Sequence, residues 1–362
     1  MKKIVLTGGP CAGKTTALVR IMEHFSNLGY KVFTVPEVPT MITQSGWSYL
    51  TTNHDFYFEG ELVILQMQLA LEESIERMAN TITDQPCLMV CDRGTMDISA
   101  YISPEMWEEL AQRVGKTTAE LRNRYDAVLH LVSAADGAEQ YYTTANNAQR
   151  YEQADEAGLQ LARDLDKKVM AAWRDHPCLR VIGNGQDFER KLRRVLTKIS
   201  EVLGLPQPIQ EERKYIVRIV GEVPESIESD IMQTYLVADP GCEVRLRRRS
   251  WQGKDVNIHT TRKRISPTEE LITERQVSNS LYESLLQQAD PYRHPIRKQR
   301  KSFIWKGQFF ELDTYAAPND GLVILETKGI ASHGEVRFPP FLEMVEDITG
   351  NTSYYNYNLA LK

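Results

Sequence analysis

At 362 residues, with 42% apolar and 25% charged positions, the chain has the make-up of an average folded protein, and its length leads to an expectation of two domains. That composition excludes the disordered, collagen-like and coiled-coil classes. The formal net charge of -6 does not by itself point to a polyanionic partner. The longest apolar runs are strand-sized, and MKKIVLTGGP has neither the apolar stretch nor the cleavage site of a signal peptide, so a cytoplasmic protein without a transmembrane segment is expected. Cys11, Cys87, Cys91, Cys178 and Cys242 are too scattered for a C-x-x-C pair and are expected to be reduced.

Residues 1–204 alternate short apolar runs with long helical patterns, as a parallel α/β sheet requires, because each parallel crossover needs a helix. Strands are predicted at residues 3–7, 31–35, 87–91, 127–132 and 179–182. Leu18, Ile21, Met22 and Phe25 recur at helical spacing, as do the apolar residues from Leu62 to Met78, and both stripes are assigned to the core.

Between the first strand and the first helix, Gly8-Gly9-Pro10-Cys11-Ala12-Gly13-Lys14-Thr15 matches G-x-x-x-x-G-K-[ST], with Thr16 following. A chance match arises in about one chain of this length in a hundred, and here the strand and helix that the motif demands flank it. Glycines let backbone N–H groups cradle a phosphate, and the helix N-terminus faces the same oxygens. Lys14 is expected on the β- and γ-phosphates of ATP or GTP, and the Thr15 hydroxyl on Mg2+. Asp92, after the apolar run 88–91, is the expected second metal ligand. It has an alternative role as the base that takes a proton from a substrate hydroxyl.

Glu37, after the second strand, and Asp97, one turn beyond Asp92, are expected on the rim outside the strand ends, where such sheets bind ligands. A helix cap or a solvated acid explains each equally well. Arg150 is placed where a mobile segment could bring a guanidinium onto the transferring phosphate, against the simpler account of a surface arginine. Lys14, Asp92 and Arg150 form the candidate catalytic set. With Asp92-Arg93-Gly94, Asp97, Tyr101 and Arg150-Tyr151-Glu152, this half resembles the AAA-like P-loop domains near the nicotinamide-riboside and deoxynucleoside kinases.

Gly204 to Gln210, with two prolines, is read as the start of a linker (205–212) between a domain at 1–204 and a second at 213–362. Beyond it, runs at 214–220, 243–249, 255–264, 271–277, 309–315 and 322–327 alternate with period two, which predicts a mainly antiparallel β-barrel. Arg245 to Arg264 holds eight basic residues against the single acid Asp255, and Arg293 to Lys306 holds six and no acid. The alternation groups Glu212 with Lys214 and Arg218, Glu243 with Arg245 and Arg247, and Thr261 with Lys263. It adds Glu274, Lys298 with Arg300, Glu311 with Asp313, and Glu326. Inward charges are costly unless they pair or bind, so a phosphate-rich ligand with a metal is expected there. Nucleic acid is disfavoured, because the basic residues alternate with acids instead of forming an exposed stripe.

The order of these segments, with Phe310 to Tyr315, Gly321 to Glu326 and Tyr354 to Leu359, resembles the CYTH, or triphosphate tunnel, family. The resemblance implies anion binding by Lys214, Arg218, Arg245, Arg247, Lys263, Lys298 and Arg300, and metal binding by Glu212, Glu274, Glu311, Asp313 and Glu326. The family's opening E-x-E-x-K reads Gln210 to Lys214 here, its late glutamate pair reads Glu326-Thr327-Lys328, and Ser353 replaces a basic residue. Fewer carboxylates favour a binding tunnel over an efficient triphosphatase. A P-loop half followed by a tunnel half is similar in layout to the TRPL-translocation-defect proteins. That likeness implies a phosphorylated small molecule, polyphosphate or phospholipid headgroup in the second half, and a nucleotide-controlled switch as an alternative to an enzyme.

Overall fold

The computed structural model describes residues 1–142, 156–184, 187–208, 212–224, 226–251, 254–306, 308–328 and 336–362. Its contacts divide the chain into two compact units, Met1–Ile182 and Gly183–Lys362.

In the first unit, β1 (Lys2–Thr7), β2 (Lys31–Val35), β3 (Cys87–Asp92), β4 (Ala127–Leu131) and β5 (Leu179–Ile182) form one parallel sheet in the order β2-β3-β1-β4-β5. All five match the predicted strands to within a residue at either end. They are continuous apolar runs, as expected where helices cover both faces: Ile4, Val5 and Leu6 are fully buried, as are Leu88 to Cys91. The helices are α1 (Lys14–Asn27), α2 (Val38–Gln44), α3 (His54–Ala79), α4 (Thr95–Ser99), α5 (Pro104–Arg113), α6 (Thr118–Asn123) and α7 (Glu156–Ala172). Side-chain caps set several starts: Asn53, Ser103 and Thr117 each accept the amide three residues on. The core between sheet and helices gathers Val5, Met89, Leu65, Leu110, Leu121 and Trp173.

The second unit opens with α8 (Phe188–Leu203), capped by the Asp187 carboxylate on the Arg190 amide and ended by left-handed Gly204. Within the segment expected as a linker, β6 (Gln207–Pro208) pairs with Glu269 and Glu270. The remaining strands are β7 (Glu212–Ile219), β8 (Ile227–Leu236), β9 (Cys242–Trp251), β10 (Lys254–Arg264), β11 (Glu269–Val277), β12 (Ile296–Trp305), β13 (Gln308–Tyr315), β14 (Val323–Lys328) and β15 (Leu342–Asp347). They join an antiparallel sheet in the order β15-β7-β14-β13-β12-β8-β9-β10-β11-β6. The strands β8 and β15 were absent from the runs singled out by alternation, and of β12 only Lys298 with Arg300 was placed, because their solvent-facing and inward positions both carry polar residues. Two short helices follow β11 and β15: α9 (Asn279–Leu286), packed over Leu246 and Val277 through Tyr282, and α10 (Asn356–Leu359).

Candidate functional site: a phosphate loop and a charged sheet face

The P-loop leaves β1 at Thr7 and enters α1 at Lys14 through backbone that only small residues tolerate. Gly8 has φ 144°, and a Cβ there would lie 2.1 Å from the Leu131 carbonyl oxygen. Gly13, at φ 86°, caps α1. Cys11 takes φ 54°, and its carbonyl accepts the Ala134 amide at 3.3 Å. The Ser133 hydroxyl donates to the Pro10 carbonyl, so the segment after β4 braces the loop from one side. Lys14 Nζ donates to the carbonyls of Gly8 (3.1 Å) and Gly9 (3.3 Å). Burial, followed by repulsion from Arg93, pushes the Lys14 ammonium below its usual range against the pull of Glu37, Asp92 and Asp97. Thr15 and Thr16 are exposed on the first turn of α1.

Asp92 ends β3, and the register pairs it with Leu6 of β1, next to the loop's entry. Its Oδ1 is buried without a hydrogen-bond partner among the described residues, and burial raises its pKa despite Lys14. Hard oxygen donors from Thr15 and Asp92, one of them unsatisfied, fit Mg2+, which takes one or two protein ligands and keeps waters.

Glu37 and Arg93 meet at the ends of β2 and β3 through an Nε to Oε1 ion pair. Arg93 is left-handed (φ 71°), which turns its guanidinium back over the rim, 3.4 Å from Asp97 Oδ1 and 3.5 Å from the Tyr101 hydroxyl. Burial works to raise the Glu37 pKa, but Arg93 and Lys14 outweigh it and hold the carboxyl down at about 2. Asp97 is enclosed: it accepts from the Thr7 hydroxyl, the Gly94 amide (2.9 Å) and the Trp173 indole (3.0 Å). It therefore serves as the cap and tie of α4, while Glu37 stays half-exposed on the rim. Arg150 lies outside the described residues.

Sequence spacing missed two acids here. Asp166 sits on the apolar stripe of α7 among Ala162, Val169 and Met170, 3% exposed, and an acid on such a stripe was the available signal. Glu61 on α3 is 2% exposed, its Oε1 lacks a hydrogen-bond partner among the described residues, and burial raises its pKa to about 7.

In the second unit the register assigns one face. Lys214, Glu326, Glu311 and Ser302 lie opposite one another across β7, β14, β13 and β12, as do Arg300 and Asp313. Across β9, β10 and β11 the matching row is Arg245, Thr260 and Glu274. Lys263 is therefore on the opposite face and exposed, and Arg262 takes the place expected for it. Arg218 has the expected parity but lies near the end of β7, where it is exposed and paired with Glu343. Both were misplaced because period two specifies alternation but neither its phase nor where the covered stretch ends.

The rest of the face is a network of ion pairs. Asp313, fully buried, holds Lys298 (2.5 Å) and Arg300 (2.6 Å). Glu326 holds Lys214 at 2.9 Å and Arg300 at 3.7 Å, Glu311 holds Arg300 at 2.6 Å, and Glu212 lies 3.3 Å from Lys214. Arg245, whose Nε is buried without a hydrogen bond among the described residues, is hydrogen-bonded to the Tyr235 hydroxyl and has longer approaches to Glu243 (3.7 Å) and Glu274 (3.9 Å). Arg247 shares its side of β9. Among the described residues no three acids, histidines or cysteines gather into a group that could hold a metal, so the expected five-carboxylate set does not fit one here.

Residues 3–191 match the family described as AAA domain. Among solved structures, the inorganic triphosphatase NE1496 is similar at 26% identity, over 42% of this chain and 95% of that one, with a TM-score of 0.33. Shikimate kinase from Acinetobacter baumannii in complex with shikimate is similar at 16% identity, over 56% and 93%, also at 0.33. A putative adenylyl cyclase, HpAC1, from Hippeastrum is similar at 12% identity, over 32% and 79%, at 0.23. None of the curated proteins matches the chain.

Proposed function

The chain belongs to the AAA-domain family through residues 3–191, and from that premise we propose that its first unit is a magnesium-dependent ATP or GTP phosphotransferase or NTPase. The observation that carries this reading is the Lys14 ammonium resting on the carbonyls of Gly8 and Gly9, near a buried Asp92 oxygen that has no hydrogen-bond partner among the described residues. A nucleotide's phosphates offer Lys14 a stronger, charged acceptor than two neutral carbonyls, so the ammonium moves from the loop to the β- and γ-oxygens. Thr15 and Asp92 would hold Mg2+, which when bound neutralises charge on the phosphates. Glu37 and Arg93, ion-paired on the rim, face an acceptor that they would orient, and Asp92, whose pKa burial raises, keeps its alternative role as the base for a substrate hydroxyl. Water serves as acceptor in the NTPase form of the reaction. Arg150 is retained as a candidate for neutralising the transferring phosphate.

Equilibrium dialysis with ATP and with GTP, with and without magnesium, tests the proposal. Lys14→Ala should lower affinity at least a hundredfold, on the scale of the charged contacts removed, while Asp92→Asn should chiefly remove the magnesium dependence. Failure of the unaltered protein to retain either nucleotide would end this account.

For the second unit we propose binding of a compact polyphosphate or phosphorylated small molecule on the face bearing Lys214, Arg245, Arg247, Lys298 and Arg300. Arg245, with a buried Nε that has no hydrogen bond among the described residues and with its paired carboxylates at 3.7 and 3.9 Å, supports an anion at its end of the row beside the Tyr235 hydroxyl. Calorimetric titration with tripolyphosphate and with an inositol phosphate separates a free polyphosphate from a lipid headgroup. Arg245→Ala should weaken the ligand that binds, and Lys14→Ala should leave it unchanged. Hydrolysis surviving Lys14→Ala but lost in Glu326→Ala would move the activity to this unit.

A further inference from the structure

Gly9 has no side chain because another residue occupies that space: a Cβ on it would fall 2.7 Å from Asp166 Oδ1 and 2.8 Å from Asp166 Cβ. The same carboxylate accepts the Gly9 amide at 2.6 Å and also the Ser133 amide, and His130 Nε2 lies 3.2 Å from it. Burial works to raise the Asp166 pKa, but His130 and the two amides outweigh it and keep the group ionised.

A peptide unit is planar, and in the trans form its N–H and C=O point in opposite directions. The Gly9 amide and the Gly8 carbonyl belong to one such unit. Its N–H is held by Asp166 and its C=O faces Lys14 Nζ at 3.1 Å. Glycines on both sides leave this peptide free to rotate unless something holds it.

We propose that Asp166 is a positioning residue of the phosphate loop, whose carboxylate fixes the Gly8–Gly9 peptide with its carbonyl toward Lys14 and so sets where the ammonium waits for a nucleotide. Seven residues on, just past the end of the same helix, the Trp173 indole donates to Asp97, which itself ties Thr7 and the start of α4. The segment from Asp166 to Trp173 thus holds the entry of the phosphate loop and the base of the acceptor rim. The proposal deepens the nucleotide-binding reading and depends on it for its functional consequence.

The experiment uses the full chain with Asp166→Ala, Asp166→Asn and, as a control, Asp164→Ala on the exposed side of α7. Hydrogen exchange of the Gly9 amide in ligand-free protein should speed up about tenfold or more in Asp166→Ala, the loss expected of a charge-assisted hydrogen bond, and far less in Asp166→Asn, which keeps an acceptor oxygen. ATP or GTP dissociation constants should rise in the same order, by about tenfold and about threefold or less, with Asp164→Ala unchanged. Wild-type exchange at Gly9 in Asp166→Ala, or acceleration spread evenly over the five-stranded sheet, would overturn the proposal. If the unaltered protein retains no nucleotide, the functional reading falls, and Gly9 exchange still decides the latch.

Discussion

Lys14, Asp92, Glu61 and Asp313 are all ionisable groups kept from bulk water, yet their surroundings give them different work. Glu61 carries a consequence that can be measured. Its folded pKa of about 7 lies above the ordinary 4.5, so the folded state binds the extra proton between those values, and stability falls as pH rises through that window. Glu61→Gln should remove this slope and stabilise the first unit by about 1–3 kcal/mol at pH 8, checked by urea unfolding across pH. Glu37 has the opposite sign: depressed to about 2, it contributes stability above 4.5 that disappears as pH falls toward 2. Asp313 is fully buried between Lys298 and Arg300, and removing it takes from Lys298 its close carboxylate partner and leaves Arg300 to Glu311 and the more distant Glu326. Asp313→Ala should therefore cost the second unit about 3–5 kcal/mol in calorimetry, and tripolyphosphate should return part of the loss by supplying the missing charge. The P-loop residues were legible from spacing because their motif is local. Asp166 and Trp173 were not, because each acts on a residue far away in the chain, and Glu61 was not, because its burial is set by how α3 packs.

The helix α3 shows how an element is set by one contact. Gly60 lies on its buried side against the Trp47 indole, whose Nε1 donates to the Phe56 carbonyl, and a Cβ on Gly60 would come within 1.9 Å of that nitrogen. Gly60→Ala should displace Trp47 and destabilise the first unit by about 1–3 kcal/mol, with a shift in tryptophan emission as the readout. Nothing in the helical pattern marks Gly60 as special, since the indole reaches it from the loop before α3. The sheet strands divide in the same way. Strands β1 to β5 were read closely because burial on both faces leaves uninterrupted apolar runs. Strands β8 and β15 were not, because polar side chains at successive positions erase the contrast on which period-two reading depends, as in Glu228-Ser229-Asp230. Lys263 was assigned to the wrong face for the related reason that phase comes from the partner strand.

At the scale of the whole molecule, each unit has its own sheet and its own buried clusters. Scanning calorimetry of the full chain is expected to resolve two transitions, with ATP or GTP raising the one that Glu61→Gln also raises, and tripolyphosphate the one that Asp313→Ala lowers. A single transition moved equally by both ligands would contradict that assignment. No helix among the described residues is long and apolar enough to cross a membrane. The sequence alone determined the class of each half and the phosphate loop, because hydrophobic period and a contiguous glycine-rich motif are properties of neighbouring residues. Only the tertiary structure decided which ionic side chains share a face, which carboxylates are already held by cations, and that a buried acid on α7 grips Gly9. Those are relations between residues about ten to more than a hundred and fifty positions apart, and the sequence carries no trace of them until the strands pair and the helix docks.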